Sequence, residues 1–185
     1  MKKILSLLLV LLLLGITVIG SGVYNIAATE KHWVITEKII EWVRDSSIAT
    51  QAKDIEIPPL NDPDLLIRGA KHYHAMCTQC HLAPGIKPTE LAQGLYPQAP
   101  IFYQHQPVID EKVLSNQIKE NFWVIKNGLK MTAMPAWGLT HDDKTIWGMA
   151  IFVQQLSGMT VERYNQLTGH LSSGHPDEQD SDHSH

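Results

Sequence analysis

The chain has two cysteines, and they stand three residues apart with a histidine directly behind the second: Cys77-Thr78-Gln79-Cys80-His81. Two thiols at that spacing cannot staple distant parts of a domain, because a bridge closing so short a loop removes little chain entropy. A redox pair of the thioredoxin kind belongs after a strand in a βαβ unit, and no such pattern surrounds this one. A structural zinc needs two more ligands at matched spacing, and there is no second cysteine pair. The C-x-x-C-H haem-attachment signature accounts for all three residues. One helical turn presents both thiols to the two vinyl groups of a single porphyrin, and the imidazole of His81 then reaches the iron. The expected cofactor is one covalent haem c, held by Cys77 and Cys80 with His81 as the proximal ligand.

The other face of the iron needs a second ligand. Downstream lies Lys130-Met131-Thr132-Ala133-Met134-Pro135-Ala136-Trp137-Gly138, a methionine-bearing loop between two helical patterns. A thioether is a soft ligand that favours ferrous iron and raises the potential. Met134 is the expected sixth ligand, since Pro135 restricts the chain immediately after it. Met131 is its nearest competitor, and His74, His105 and His141 are weaker ones. Met149 and Met159 read as core filler. Pro84, three residues after His81, is expected to offer a carbonyl to the other imidazole nitrogen, a bond that orients the ring. Trp123, Trp137 and Trp147 are candidates for the haem surroundings, with ordinary core packing as the more frequent role of such residues.

The amino terminus sets the topology. After Lys2 and Lys3, no charged residue occurs until Glu30, and the first part of that stretch is almost wholly aliphatic. It is long enough to cross a hydrocarbon core of about 30 Å, with the two lysines kept in the cytoplasm by the positive-inside rule. A cleaved export signal is the alternative, with Gly20-Ser21-Gly22 as a poor cleavage site. No cysteine follows the run, which argues against lipoprotein processing. Both readings export the remainder.

Periodicity predicts helices and no strands. An amphipathic stretch from Thr29 to about Ile48 carries Val34, Ile35, Ile39, Ile40, Trp42 and Val43, and reads as a helix along the membrane surface or the domain. Residues 50–63, with Pro58, Pro59 and Pro63, read as a linker. A helix opened by Asp62 or Asp64 carries Leu65, Leu66, Ala70, Tyr73, Met76 and Cys77. Residues 82–107 are mostly loop. Helices follow over 110–127, stopped by Gly128, and over 142–156, apolar nearly all round, with a short one at 160–168. The last residues are polar, acidic and His-rich, and are expected to be disordered. The domain plan is an anchor over 1–29, a juxtamembrane helix and Pro-rich linker over 30–60, one globular domain over 61–158, a short extension over 159–171, and a tail over 172–185. The net charge of −4, without a clustered basic stripe, argues against nucleic acid as a partner.

CTQCHLAPG (residues 77–85), MTAMPAWG (131–138) and the helices around them resemble the class I cytochrome c family, in particular its membrane-anchored monohaem bacterial members. YNIAATEKHW (24–33) is similar to anchored members too. The resemblance covers roughly residues 60–157. It implies an all-α cytochrome c fold of about three to five helices around one haem, with the helix of Gly69 and Tyr73 crossing the helix of Trp147 and Ile151. It also implies His81/Met134 ligation and Pro84 as the carbonyl partner. The expected role is that of an electron carrier, not an enzyme, single-pass in the bacterial inner membrane with its domain in the periplasm. Its expected partners are redox proteins of the membrane electron-transport chain, respiratory or dehydrogenase complexes among them. Two other readings stay open: a haem enzyme or gas sensor with a labile sixth ligand, and a copper- or nickel-handling protein using the methionine loop with His170, His175, His183 and His185.

Overall fold

The structure, a computed structural model of the chain, describes residues 2–59 and 62–169. Among the described residues eight α-helices follow one another and there is no strand. They are α1 (Lys2–Gly20), α2 (Val34–Ala52), α3 (Pro63–Met76), α4 (Thr78–His81), α5 (Glu90–Gly94), α6 (Glu111–Asn127), α7 (Asp143–Gln155) and α8 (Val161–Thr168), with short 3-10 turns at Phe102–Gln104 and Trp137–Leu139. The protein is all-α, as expected. The carboxy-terminal histidines considered for copper or nickel lie outside the described residues.

The chain divides into two compact units, Met1–Asp45 and Ser46 onward, so the division falls within α2. The first unit holds α1, whose 19 residues span about 28 Å at 1.5 Å per residue. None of its side chains is buried, and it is long and apolar enough to cross a membrane.

In the second unit, helix ends sit where local chemistry puts them. Asp62, Asp110, Asp142 and Thr160 are N-caps whose side chains accept an amide N–H from the first turn of α3, α6, α7 and α8. Pro63 follows Asp62 at the first helical position, where a missing N–H costs nothing. Gly128 ends α6 with φ of +67°. The linker expected at 50–63 is shorter than its prolines suggest: α2 runs on to a buried Ala52, and Ile55 and Ile57 pack against the core.

That core has two parts. One joins Ala70 and Tyr73 of α3, Phe152, Val153 and Leu156 at the end of α7, and Tyr164 and Leu167 of α8. The other joins Ile118, Phe122 and Ile125 of α6 with Ile146, Trp147, Met149 and Ala150 of α7. Helix α7 is buried from Thr145 to Val153 because it takes part in both. Phe122 and Trp147 stack with centroids 3.9 Å apart. The crossing of α3 on α7 is made by glycine on glycine. A Cβ on Gly69 would collide with the carbonyl of Gly148, and a Cβ on Gly148 would lie 2.6 Å from the carbonyl oxygen of Leu65.

Those atoms belong to backbone and cannot swing aside. Gly69→Ala and Gly148→Ala are each expected to cost about 3 kcal/mol or more, at the top of the overpacking range, read as a large fall in melting temperature by circular dichroism. Gly94→Ala, with open space around it, is the matched control and should leave the transition nearly unmoved. The capping carboxyl of Asp142 is held below the usual carboxylate range, chiefly by hydrogen bonds from Thr145. A depressed folded value stabilises above the unfolded pKa of about 3.9 and is lost as pH falls through the folded one. Asp142→Asn, which keeps a capping oxygen, should flatten the acid side of a melting-temperature profile.

Candidate haem site

The attachment turn is built on the end of α3. Cys77 closes that helix, its amide bonded to the carbonyl of Tyr73, and opens α4, so its own carbonyl accepts the amides of Cys80 at 3.1 Å and His81 at 2.8 Å. Cys77 and Cys80 therefore sit one helical turn apart, on one face. Both are unpaired thiols and half-buried. Burial pushes the Cys77 thiol up to about 12, with Cys80 beside it adding to the rise.

Two hydrogen bonds hold the turn from outside. The buried hydroxyl of Tyr73 donates to the carbonyl of Leu82 at 2.8 Å, and the hydroxyl of Thr78 donates to the carbonyl of His74 at 2.9 Å. Leu82 has φ of +55°, a conformation costly for a side-chain-bearing residue, and it reverses the chain directly after His81. Burial pushes the Tyr73 phenol above its ordinary range, so the proton needed for its bond to Leu82 stays in place.

His81 is fixed on two sides. Its Nδ1 lies 2.9 Å from the carbonyl oxygen of Pro100, and the Phe102 ring stacks on it with centroids 4.8 Å apart and planes 21° from parallel. A carbonyl only accepts, so the proton sits on Nδ1 and Nε2 keeps its lone pair. Burial lowers the pKa of the ring, against the raising effect of the Pro100 bond, which favours the neutral, ligating imidazole.

Pro100 stands where Pro84 was expected. Pro84 is buried, and the turn it begins goes elsewhere: Gly85, with φ of +81°, has the side chain of Val161 of α8 at 3.1 Å from where its Cβ would be. The chain turns to α8 at this point and comes back alongside the imidazole only at Pro100. No local signal in the sequence marks Pro100 out from nine other prolines, and Phe102 was equally unmarked.

The methionine loop is tied down by its own backbone. Leu129 donates to the carbonyl of Met134 at 3.2 Å, Thr132 donates its hydroxyl to the carbonyl of Leu129 at 2.9 Å, and the amide of Met134 donates to the hydroxyl of Thr132 at 3.1 Å. Gly128 lets this loop close, since a Cβ there would lie 2.8 Å from the carbonyl oxygen of Met134. Met134 is half-buried against the cluster of α6 and α7, as is Met76 from the last turn of α3. Met131, at φ of +59°, is turned outward and 99 % exposed.

The competing histidines have other neighbours. Nδ1 of His74 lies 2.8 Å from the hydroxyl of Tyr164, His105 is exposed beside Phe102, and His141 lies between the rings of His72 and Trp137. Of the tryptophans, Trp147 is buried on Phe122, and Trp137 packs partly buried on the same cluster. Among the described residues no three His, Cys, Asp or Glu side chains gather as an ordinary metal site.

Two unbridged cysteines on one face of a helical turn, an imidazole directly after them and a methionine loop packed on the α6–α7 cluster are a donor set that fits haem c. Residues 64–153 match the family model described as cytochrome c oxidase, cbb3-type, subunit III, and the match supports a class I c-type cytochrome domain there, in general a haem-based electron carrier. A comparison with curated proteins finds no match.

Removal of the Tyr73 hydroxyl leaves the buried Leu82 carbonyl without its partner. Tyr73→Phe is expected to lower stability by about 1–3 kcal/mol, measured by denaturant unfolding of the haem-loaded protein.

Proposed function

We propose that this chain carries single electrons on the periplasmic face of a bacterial membrane, through one haem c bound to Cys77 and Cys80 and ligated by His81 and Met134. The observation that carries the reading is the restrained pair of ligand-bearing segments: an imidazole oriented by Pro100 and Phe102, and a methionine in a loop closed by three hydrogen bonds. A single pair of cysteines provides for one attachment only. The haem supplies a one-electron couple. The residues around it supply rigidity, which keeps both ligands in place in either oxidation state and so keeps reorganisation small. The tied loop also speaks against a labile sixth ligand, which a gas sensor or peroxide-consuming enzyme requires.

Helix α1 supports a single-pass anchor, with Lys2 and Lys3 on the cytoplasmic side by the positive-inside rule. The anchor would keep the domain within reach of membrane electron-transport complexes, as a tethered shuttle or as a subunit. The match to an oxidase-subunit family favours an oxygen-reducing complex as the partner class.

The test is spectroscopic. Met134→Ala is expected to abolish the weak red-edge absorption band of sulfur on ferric iron and to lower the reduction potential, while Met131→Ala leaves both unchanged. The opposite pattern, or a protein without covalent haem when made beside working haem-ligation machinery, removes the reading.

A further inference from the structure

Helix α2 is amphipathic the wrong way round for a helix in water. Ile35, Ile39, Trp42 and Val43 recur at i, i+4, i+7 and i+8, which puts them on one face. All four are exposed, Trp42 at 70 % and Ile39 at 53 %. On the opposite side Glu37, Glu41 and Arg44 are the more sheltered residues. A helix packed on a soluble domain hides its apolar stripe and wets its charges, so this stripe needs a covering medium.

Three observations say what covers it. Only residues 21–33 separate the end of α1 from the start of α2, so α2 begins near wherever α1 leaves a bilayer. That connection is folded back on itself: the hydroxyl of Tyr24 lies 2.6 Å from Nδ1 of His32, and the Trp33 ring meets Tyr24 edge-on at 4.8 Å. Tyrosine and tryptophan are the residues that settle at the headgroup level. Finally, from Glu30 to Asp45 the charges nearly cancel, with Glu30, Glu37, Glu41 and Asp45 against Lys31, Lys38 and Arg44. Attraction to anionic headgroups therefore contributes little, and apolar burial has to supply the affinity.

We propose that the amino-terminal part of α2 lies in the lipid–water boundary of the bilayer that α1 crosses, with Ile35, Ile39, Trp42 and Val43 seated in the acyl–headgroup zone. The occupant of the apolar face is lipid, and the chain grips the membrane at two places. This rests on the reading of α1 as an anchor, and the test separates the two.

Single nitroxide labels are attached to Leu11→Cys, Glu37→Cys, Ile39→Cys and Val43→Cys in the full-length haem-loaded protein, reconstituted in phosphatidylcholine nanodiscs. Collision with oxygen is then compared with collision with a water-soluble nickel chelate. The expected result is a severalfold higher oxygen-to-nickel ratio at positions 39 and 43 than at 37, unchanged when part of the lipid is replaced by phosphatidylglycerol. Nickel access at 39 and 43 equal to that at 37 overturns the proposal. If Leu11 is then oxygen-rich, α2 alone has failed; if Leu11 is also open to nickel, the anchor falls with it. Protection of 39 and 43 from both reagents means a protein partner or a second copy covers the face, and a lipid contact that appears only with phosphatidylglycerol means charge and not apolar seating holds it. Either result overturns the proposal as well.

Discussion

The contact of Gly69 with Gly148 is the constraint on which the rest of the domain depends. With no side chain on either residue, α3 and α7 approach until backbone meets backbone. The buried side chains on either side of the crossing then fall into two clusters that share α7. Close packing at this density makes the arrangement stiff, since neither helix can shift without opening a void or forcing an overlap. The far end of α3 inherits that stiffness. Met76 reaches one cluster and Cys77 the other, so the attachment turn starts from a helix held on both flanks.

From that turn outward, positioning is done by hydrogen bonds to carbonyl oxygens. Tyr73 holds Leu82, and His81 is held by Pro100, so the two ends of a long excursion are pinned near the attachment turn. Between them the chain is irregular but not unstructured: Thr89 caps the short helix α5 and also donates to the carbonyl of Gln79 in the attachment turn. Buried polar groups without partners are costly. The described residues leave no buried side-chain nitrogen or oxygen unpaired. An imidazole with its Nδ1 proton committed to a carbonyl cannot rotate freely, and this is how a loop nineteen residues away sets the direction of the His81 ring.

The membrane-proximal part obeys the opposite rule. There the apolar side chains of α1 and of the start of α2 are exposed in rows of leucine, isoleucine and tryptophan, the pattern that a covering of lipid calls for. One chain thus carries two solvation patterns, and the same period of 3.6 residues serves both.

Much of this was legible in the residues themselves. The helical turn across Cys77–His81 and the aliphatic helix α1 were legible in short runs of residues, and the ends of α3, α6 and α7 lie within a residue or so of where Asp62 or Asp64, Gly128, and Asp142 or Asp143 point. Each of those signals acts over one or two helical turns, where local sterics and capping decide the outcome. The partner of His81 was not legible at this range. Pro84 is nearer in sequence, but the contact of Gly85 with Val161 leads the chain to α8, and only the return path brings Pro100 to the ring. Nor could spacing separate Met131 from Met134. The closure of the loop at Gly128 turns one to water and the other to the core, and that closure requires α6 and α7 already in place. By itself the sequence determined which chemical groups the domain offers and where α3, α6 and α7 begin, while the full extent of α2 and the short helix α5 were not marked in it. Which carbonyl orients the imidazole and which thioether faces inward was decided by tertiary structure, because both depend on where a loop goes between contacts far apart in the chain.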